Sequence, residues 1–320
     1  MSLTAVARSY AKLFAAPVRH ILHPVHEREY FRHLSGCSGD SRPSSFLDGA
    51  SDGFLYWAMT HSHELGQGQA PVPRLPSAWH QRNWTGTSGE STMLQAFQFF
   101  KLVREQLAKH GRVPLQEARI LDFGSGWGRI LRFFLRDVPS RQLKGRDCWA
   151  EIVDVAKADN PWCDFQAIGT HPPLEEPDGS IDVIYLFSVF SHLSEDAHLA
   201  WIKEFRRILA PGGIVVATTR SSEYLKKMDR NRRKDRTKGK YQSMLATESF
   251  PDIEATLAAY GRGEFCYSGT GGGGPLDASF YGEAAIPPSY AKSRWEGFEI
   301  VDVVPPKGAI DQVTIVARKL

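Results

Sequence analysis

Apolar positions recur at two different spacings along the middle of the chain, and each spacing predicts a different kind of element. From Ser91 to His110 they fall mostly three or four residues apart, which is typical of an amphipathic helix. A similar stretch follows Ser194, whose side chain suits a helix N-cap. Short runs at Ile120–Phe123 and Ile181–Phe187, each apolar except for one aspartate, instead predict buried strands. This alternation across residues 90–220 predicts an α/β fold built on a parallel sheet.

The pattern changes on both sides of this core. Residues 1–89 contain helical stretches without a clear strand pattern, which predicts a helical N-terminal extension. Residues 221–295 interrupt the alternation, and strand patterns return in residues 296–320. We therefore predict a core at residues 90–220, completed by the C-terminal strands, with residues 221–295 inserted as a lid over the carboxyl ends of the strands.

A glycine turn and the predicted start of a helix follow the first predicted strand, and the segment reads Asp122-Phe123-Gly124-Ser125-Gly126-Trp127-Gly128-Arg129. A dinucleotide-binding turn has the spacing Gly-x-Gly-x-x-Gly, and the position of its last glycine is Arg129 here. An acid before such a turn repels a pyrophosphate and attracts a cation. S-adenosylmethionine (SAM) carries a sulfonium and an ammonium but no phosphate. The turn therefore predicts SAM as the cofactor in preference to NAD.

Further segments follow the turn in order: Gln142–Asp147, then Pro177–Phe187 with Ser188–Leu193, and finally Arg206–Val216 with its Pro-Gly-Gly turn. With these segments the chain resembles a class I SAM-dependent methyltransferase over roughly residues 90–220 and again near 295–320. The resemblance implies a Rossmann-like, seven-stranded, mostly parallel sheet flanked by helices and closed by an antiparallel hairpin. It also implies methyl transfer from SAM, with no requirement for a metal.

The resemblance places cofactor contacts at the ends of the strands. Asp147 ends the second strand, where a carboxylate can hold ribose hydroxyls. An ordinary surface acid at a strand end is the alternative interpretation of this residue. Asp122 could orient the methionine ammonium or cap a helix. Many family members carry an acid after the third strand, where this chain has Thr170, whose hydroxyl can also accept a hydrogen bond. The predicted cofactor-binding residues are Asp122, Gly124, Ser125, Gly126, Gly128, Asp147, Cys148, Thr170 and Ser188.

His192 is the predicted general base, because it follows the fourth strand near the expected position of the transferred methyl group. An imidazole with an ordinary pKa of about 6.5 can take a proton at neutral pH. A helix-capping or packing role explains the same residue, and many enzymes of this family work largely by proximity and orientation. Tyr281 and Glu283 are further candidates for contact with the acceptor.

The acceptor is constrained by motifs that the chain lacks. Methylases of base amino groups usually carry Asn-Pro-Pro-Tyr or a relative after the fourth strand, where this chain reads Leu186-Phe187-Ser188-Val189. Cytosine C5 methylases commonly use a Pro-Cys pair, which is absent from the sequence. We therefore predict a hydroxyl of a small molecule or glycan precursor as the acceptor. The alternatives are an RNA or ribonucleoprotein methyltransferase and a non-catalytic scaffold with the SAM-binding fold.

The RNA alternative depends on a basic run at residues 226–240, which contains nine Lys or Arg and two Asp. The net charge of the whole chain is only +3, so the excess positive charge lies in this run. It could bind RNA, an anionic membrane or an acidic substrate. Aromatic residues occur only at its edges, at Tyr224 and Tyr241, so a solvated, mobile loop is the preferred interpretation.

Composition adds the remaining limits. The 320 residues are 42% hydrophobic and 23% charged, as in an ordinary globular protein of one or two domains. No apolar run approaches the roughly 20 residues of a membrane span. Ser2–Leu22 is basic and could be a targeting or membrane-surface helix, although an amphipathic helix packed on the core is preferred. The four cysteines form no C-x-x-C pair, which fits a reducing cytoplasm. His20, His23, His26 and His33 have spacings that do not favour a metal site.

Overall fold

A computed structural model of the chain describes residues 29, 33, 43–62, 71–233 and 248–320. Its α-helices are α1 Pro43–Leu47, α2 Asp52–Thr60, α3 Ala78–Thr85, α4 Glu90–His110, α5 Ala150–Asp159, α6 Glu195–Ile208, α7 Ser222–Arg233, α8 Ile253–Gly261 and α9 Pro288–Arg294. Its strands are β1 Ile120–Phe123, β2 Leu143–Asp147, β3 Asp164–Ala167, β4 Ile181–Leu186, β5 Leu209–Thr219, β6 Cys266–Gly269, β7 Gly282–Ala285, β8 Phe298–Val304 and β9 Val313–Lys319.

The central sheet has seven strands in the order β3-β2-β1-β4-β5-β9-β8. Strands β1 to β5 pair in parallel, whereas β9 runs antiparallel to both of its neighbours, β5 and β8. This confirms the predicted seven-stranded, mostly parallel sheet closed by an antiparallel hairpin. The strand order changes direction between β1 and β4, so the crevice at their carboxyl ends is where a ligand of such a sheet binds.

Helices cover both faces of the sheet because alternate residues of each strand point to opposite sides. Val183 and Tyr185 of β4 belong to the core shared with α4, and Ile184 and Leu186 belong to the core shared with α6. Helix α6 begins as predicted, since the Ser194 hydroxyl accepts a hydrogen bond from the N–H of Ala197. The packed faces fix the strands, and the strands fix the positions of the residues at their carboxyl ends.

The segment after the glycine turn departs from the sequence pattern. A helix was expected to begin directly at the turn, but the chain first makes further turns and then a short 3-10 helix at Leu131–Arg136. The reason is local, because Gly124, Gly126 and Gly128 all have positive φ, which a right-handed helix does not allow.

The basic run also departs from its prediction where the structure describes it. Residues 226–233 form the end of α7, whose Leu225 and Met228 are buried against residues of α8 and the hairpin β6–β7. The Arg232 side chain donates to the carbonyl oxygens of Ser249 and Phe250. A solvated, mobile loop is therefore wrong for this part of the run. Residues 234–240 lie outside the described residues.

Two predictions for the N-terminal region concern residues that are wholly or mostly outside the described part of the chain. Ser2–Leu22 and three of the four clustered histidines lie outside the described residues, whereas His33 is buried and stacks on Phe54 with 5.0 Å between the ring centroids. Among the described residues, no helix is both long and apolar enough to cross a membrane. The proposed divisions of the chain at residues 89, 220 and 295 stay predictions.

Candidate active site

The glycine turn at the carboxyl end of β1 packs tightly on one side and faces open space on the other. A Cβ atom added to Gly124 would lie 2.3 Å from Cγ2 of Val189, and one added to Gly128 would lie 2.6 Å from the Phe165 ring. A Cβ atom on Gly126 would meet nothing within 4 Å. The turn thus brings its backbone close to the carboxyl edge of the sheet and leaves room for a ligand above Gly126.

Asp147, at the end of β2, is joined to this turn by its carboxylate. Its Oδ2 accepts from the N–H of Gly126 at 2.9 Å, and its Oδ1 accepts from the N–H of Trp149 at 3.0 Å. Burial raises the pKa of this carboxyl, and the hydrogen bonds from these N–H groups act in the opposite direction. The structure therefore places Asp147 beside the turn, where a ribose would have to lie if the turn holds SAM.

Asp122 lies beneath the turn and is only 2% exposed. Burial raises its pKa to about 8, against the effects of the Tyr185 hydroxyl and the Arg129 guanidinium. The carboxyl consequently carries a proton at neutral pH until a cation comes near it. A methionine ammonium is such a cation, so Asp122 suits the role that the sequence indicates.

The other predicted cofactor residues lie around the same edge. Ser125 is buried, and its hydroxyl has no hydrogen-bond partner among the described residues. Burial raises the pKa of the Cys148 thiol to about 12, so it stays protonated. Thr170 follows β3, with its hydroxyl 3.1 Å from Nδ1 of His171. Ser188 has a φ of 60°, a strained value for a residue other than glycine, and its hydroxyl accepts from the Gln312 side chain.

These observations fit a cofactor that has no phosphate. An orphaned buried hydroxyl at Ser125 and open space above Gly126 both point to a bound group at the turn. A cationic ligand would favour the ionised forms of Asp122 and Asp147, whereas a pyrophosphate would oppose them.

Arg129 is a residue that the sequence reasoning missed, since it was considered only as a missing glycine. Its guanidinium lies 4.9 Å from the centroid of the Phe187 ring and donates to the carbonyl oxygen of Thr92 and to Oε1 of Gln95. Burial lowers its pKa to about 10, which still leaves it charged at neutral pH. A cation at this edge can pair with a ligand carboxylate. Its signal in the sequence is its place directly after the last glycine of the turn.

His192 is held on both ring nitrogens. Its Nδ1 lies 2.8 Å from the carbonyl oxygen of Gly282, and its Nε2 lies 3.3 Å from Nη2 of Arg220. The ring stacks on that of Tyr281, with 5.0 Å between the centroids and 5° between the planes. Burial, together with the positive charge of Arg220, lowers the pKa of His192 to about 3. The imidazole is therefore neutral, with Nδ1 donating to Gly282 and the lone pair of Nε2 directed at the guanidinium.

Arg220 and Glu283 form a buried ion pair beside this imidazole. Arg220 follows β5 directly, contacts the Tyr224 hydroxyl and lies with its guanidinium carbon 4.2 Å from the centroid of the Tyr224 ring. Glu283 comes from β7, and its Oε1 is 3.6 Å from Nδ1 of His192. Sequence reasoning missed Arg220. Its one signal is its position after a buried strand, at the edge where the glycine turn lies.

Strand β7 brings the candidate acceptor residues together. The N–H of Gly282 donates to the carbonyl oxygen of His192 at 2.7 Å, and the N–H of Ala284 donates to that of Ser191 at 2.8 Å. Burial raises the pKa of Tyr281 to about 12, and the Arg220 guanidinium acts in the opposite direction. The side chains of His192, Arg220, Tyr281 and Glu283 contact one another and form a cluster, called here the buried polar cluster.

Comparison with known proteins agrees with this geometry. Residues 120–213 match the family model of a methyltransferase domain, from the first residue of β1 into β5. The match places a methyltransferase domain on the part of the chain that contains the glycine turn and strands β1 to β4.

Solved structures with a similar fold come from several organisms. The YcgJ protein from Bacillus subtilis is 22% identical, with 43% of this chain and 58% of that chain covered, at a TM-score of 0.34. A SAM-dependent methyltransferase from Methanosarcina mazei is 17% identical, with 67% and 96% covered, at a TM-score of 0.45. A protein from Pyrococcus horikoshii OT3 is 15% identical, with 77% and 99% covered, at a TM-score of 0.48. The chain thus spans less than two thirds of the Bacillus protein, and at these identities the likeness concerns the fold alone.

Proposed function

We propose that this methyltransferase acts on a hydroxyl of a small molecule or glycan precursor, and that the buried polar cluster binds this acceptor. The observation that supports the proposal is the ion pair of Arg220 and Glu283, both buried beside His192 at the carboxyl edge of the sheet. Buried charges contribute little net stability, and buried groups with perturbed pKa values gather at functional sites. Tyr281, a member of the cluster, is close enough to Asp147 for that acid to influence its pKa, so the cluster adjoins the proposed cofactor residues.

The cofactor half of the proposal assigns one contact to each group. SAM supplies a methyl group that its sulfonium activates toward nucleophiles. Asp147 would hold the ribose hydroxyls, and Asp122 would face the methionine ammonium. Arg129 is the described cation beside Asp122 that can pair with the methionine carboxylate. The turn itself would let the ligand approach the backbone above Gly126.

His192 remains our proposed base, and its geometry sets what it can do. Because Nδ1 donates to Gly282, the lone pair that could take a proton is on Nε2. That atom lies 3.3 Å from Nη2 of Arg220, so an acceptor hydroxyl reaches it only by displacing the guanidinium from this contact. A base with a pKa near 3 provides little driving force for proton transfer, and so we expect orientation to provide most of the rate enhancement.

Methylation with labelled SAM tests the proposal. The protein, SAM with a deuterated methyl group and fractions of small-molecule and glycan extracts would be incubated and analysed by mass spectrometry for a labelled methyl ether. We expect such a product, and we expect H192Q to retain affinity for S-adenosylhomocysteine while kcat falls. Cofactor binding without methylation of any fraction would support the scaffold alternative. Labelled RNA as the main product would support the RNA alternative.

We also propose a cytoplasmic location. Cys148, Cys163 and Cys266 are free thiols in the described part of the chain, which fits a reducing compartment.

A further inference from the structure

A cavity opens at the same edge of the sheet as the buried polar cluster. Its volume is about 360 Å³, and its lining residues come from the start of α7 and from the loop that joins β8 to β9. Thr219 at the end of β5 pairs with Val313 at the start of β9. Since these strands are antiparallel, the β8–β9 loop lies at the carboxyl end of β5, on the side of the glycine turn.

Hydrogen bonds tie this loop to the cofactor residues. The Gln312 side chain donates to the Ser188 hydroxyl at 2.9 Å. The carbonyl oxygen of Ala309 accepts from the Gln95 side chain, which in turn accepts from Arg129. The cavity wall is thus one side chain away from groups that we assign to the cofactor.

The lining carries a surplus of positive charge. Lys227, Arg230 and Lys307 line the cavity, are exposed and make no ion pair with another described side chain. The two acids of the lining are partly balanced by other cations. Glu223 pairs with Lys226 at 2.7 Å, and the charge of Asp311 acts on the buried Arg220. The amino end of α7, a helix of 12 residues, also faces this cavity through Ser221, and helix N-termini favour anions.

Tyr224 connects the cavity to the buried polar cluster. It lines the cavity, and its hydroxyl contacts Arg220, which faces Nε2 of His192. Only the Tyr224 and Arg220 side chains thus separate the cavity from Nε2 of His192 along this chain of contacts. The volume lies within the range of small-molecule sites, which runs from about 300 to 1,000 Å³.

We propose that this cavity is a second acceptor subsite and takes an anionic group, a phosphate or a carboxylate, carried by the small molecule that is methylated. The inference rests on the proposed function and narrows its substrate class to anionic acceptors. Lys227, Arg230 and Lys307 bind the anion, and Tyr224 separates it from the hydroxyl that reacts.

Binding of simple anions tests this subsite. Isothermal titration calorimetry at low salt would measure inorganic pyrophosphate and malonate, as phosphate and carboxylate probes, against the full chain. The test variant is K227S/R230S/K307S. The control variant, R141S/K157S/K292S, removes the same charge from exposed positions outside the cavity lining. Each sample would also be titrated with S-adenosylhomocysteine and its melting temperature recorded.

We expect the parent and the control variant to bind at least one probe, and the test variant to bind it about tenfold more weakly, as the loss of three exposed ion pairs implies. Affinity for S-adenosylhomocysteine should be equal in all three. The subsite is refuted if the parent binds neither probe, or if the test variant binds as the parent does. RNA that outcompetes pyrophosphate on the parent and not on the test variant would also overturn it, in favour of a polyanion. If the parent does not bind S-adenosylhomocysteine, the proposed function itself is contradicted.

Discussion

Replacement of Asp147 by alanine should weaken cofactor binding and also loosen the glycine turn. In the free protein its carboxylate already accepts from the N–H groups of Gly126 and Trp149. On cofactor binding, the same group would accept from ribose hydroxyls. D147A thus removes contacts from two different states of the protein, and the two losses can be measured separately.

The loss of cofactor affinity should be about 1.5–3 kcal/mol, the usual contribution of hydrogen bonds to a charged group. This corresponds to roughly a 10- to 150-fold increase in Kd. The unfolding free energy should fall by less, about 1–2 kcal/mol, because water can reach the freed N–H groups of a half-buried site. Removing a carboxyl whose pKa is raised by burial also relieves some desolvation cost, which keeps this second loss small.

Calorimetry with S-adenosylhomocysteine and urea unfolding would measure the two losses. D147N keeps one acceptor oxygen and should fall between the parent and D147A. D154A is a matched control, because Asp154 is an exposed acid on the neighbouring helix α5. If D147A binds the ligand as tightly as D154A does, Asp147 does not contact the cofactor, and our assignment of this strand end is wrong.

Three further predictions follow from groups whose environments the structure defines. Binding of SAM at pH 7 should release up to about 0.9 proton, because the pKa of Asp122 lies near 8 and the cationic ligand would lower it. Calorimetry in buffers of different ionisation enthalpy would measure this proton release, and D122N should abolish the release. D182N should lower the unfolding free energy by about 2–3 kcal/mol at pH 7, because this buried carboxylate accepts from two arginines that reach solvent. The pKa of Asp182 is lowered in the folded protein, so the difference between D182N and the parent in urea unfolding should begin to shrink as the pH falls below about 4 and should be lost only below that lowered pKa. R232S should cost about 1–2 kcal/mol of stability through its lost bonds to main-chain carbonyls, whereas R233S, at a side chain 70% exposed, should change the melting temperature little.

The cofactor half of the site could be predicted from sequence because its signals are local. The glycine turn follows a short run that is apolar except for Asp122, and Asp147 ends the next strand, so the turn and Asp147 are placed once the strands are placed. The N-cap at Ser194 is local in the same sense. Parallel pairing then brings these strand ends together without further information.

The part of the candidate site that we propose for the acceptor could not be predicted in this way, because its contacts join distant parts of the chain. The partner of His192 is the carbonyl of Gly282, which is 90 residues away. The prediction of a solvated loop for the basic run was wrong at residues 226–233, again because the decisive contacts join distant parts of the chain. Its apolar residues are few, and only their packing against Phe250 and Ile253 shows that α7 has a buried face.

If the buried polar cluster binds the acceptor as we propose, its charges predict how it would promote methyl transfer. Arg220 is a cation beside His192, and the imidazole there is neutral and a poor base. A guanidinium next to a hydroxyl stabilises negative charge that develops on its oxygen, and it does so more strongly in a site that excludes water. We therefore expect the cluster to promote transfer by lowering the pKa of the bound acceptor more than by taking its proton into the imidazole. On this argument R220Q should reduce kcat more than H192Q does, and rate measurements on the two variants with one acceptor would decide between the two roles. A larger loss of kcat in H192Q than in R220Q would show that proton transfer to the imidazole is the more important of the two roles.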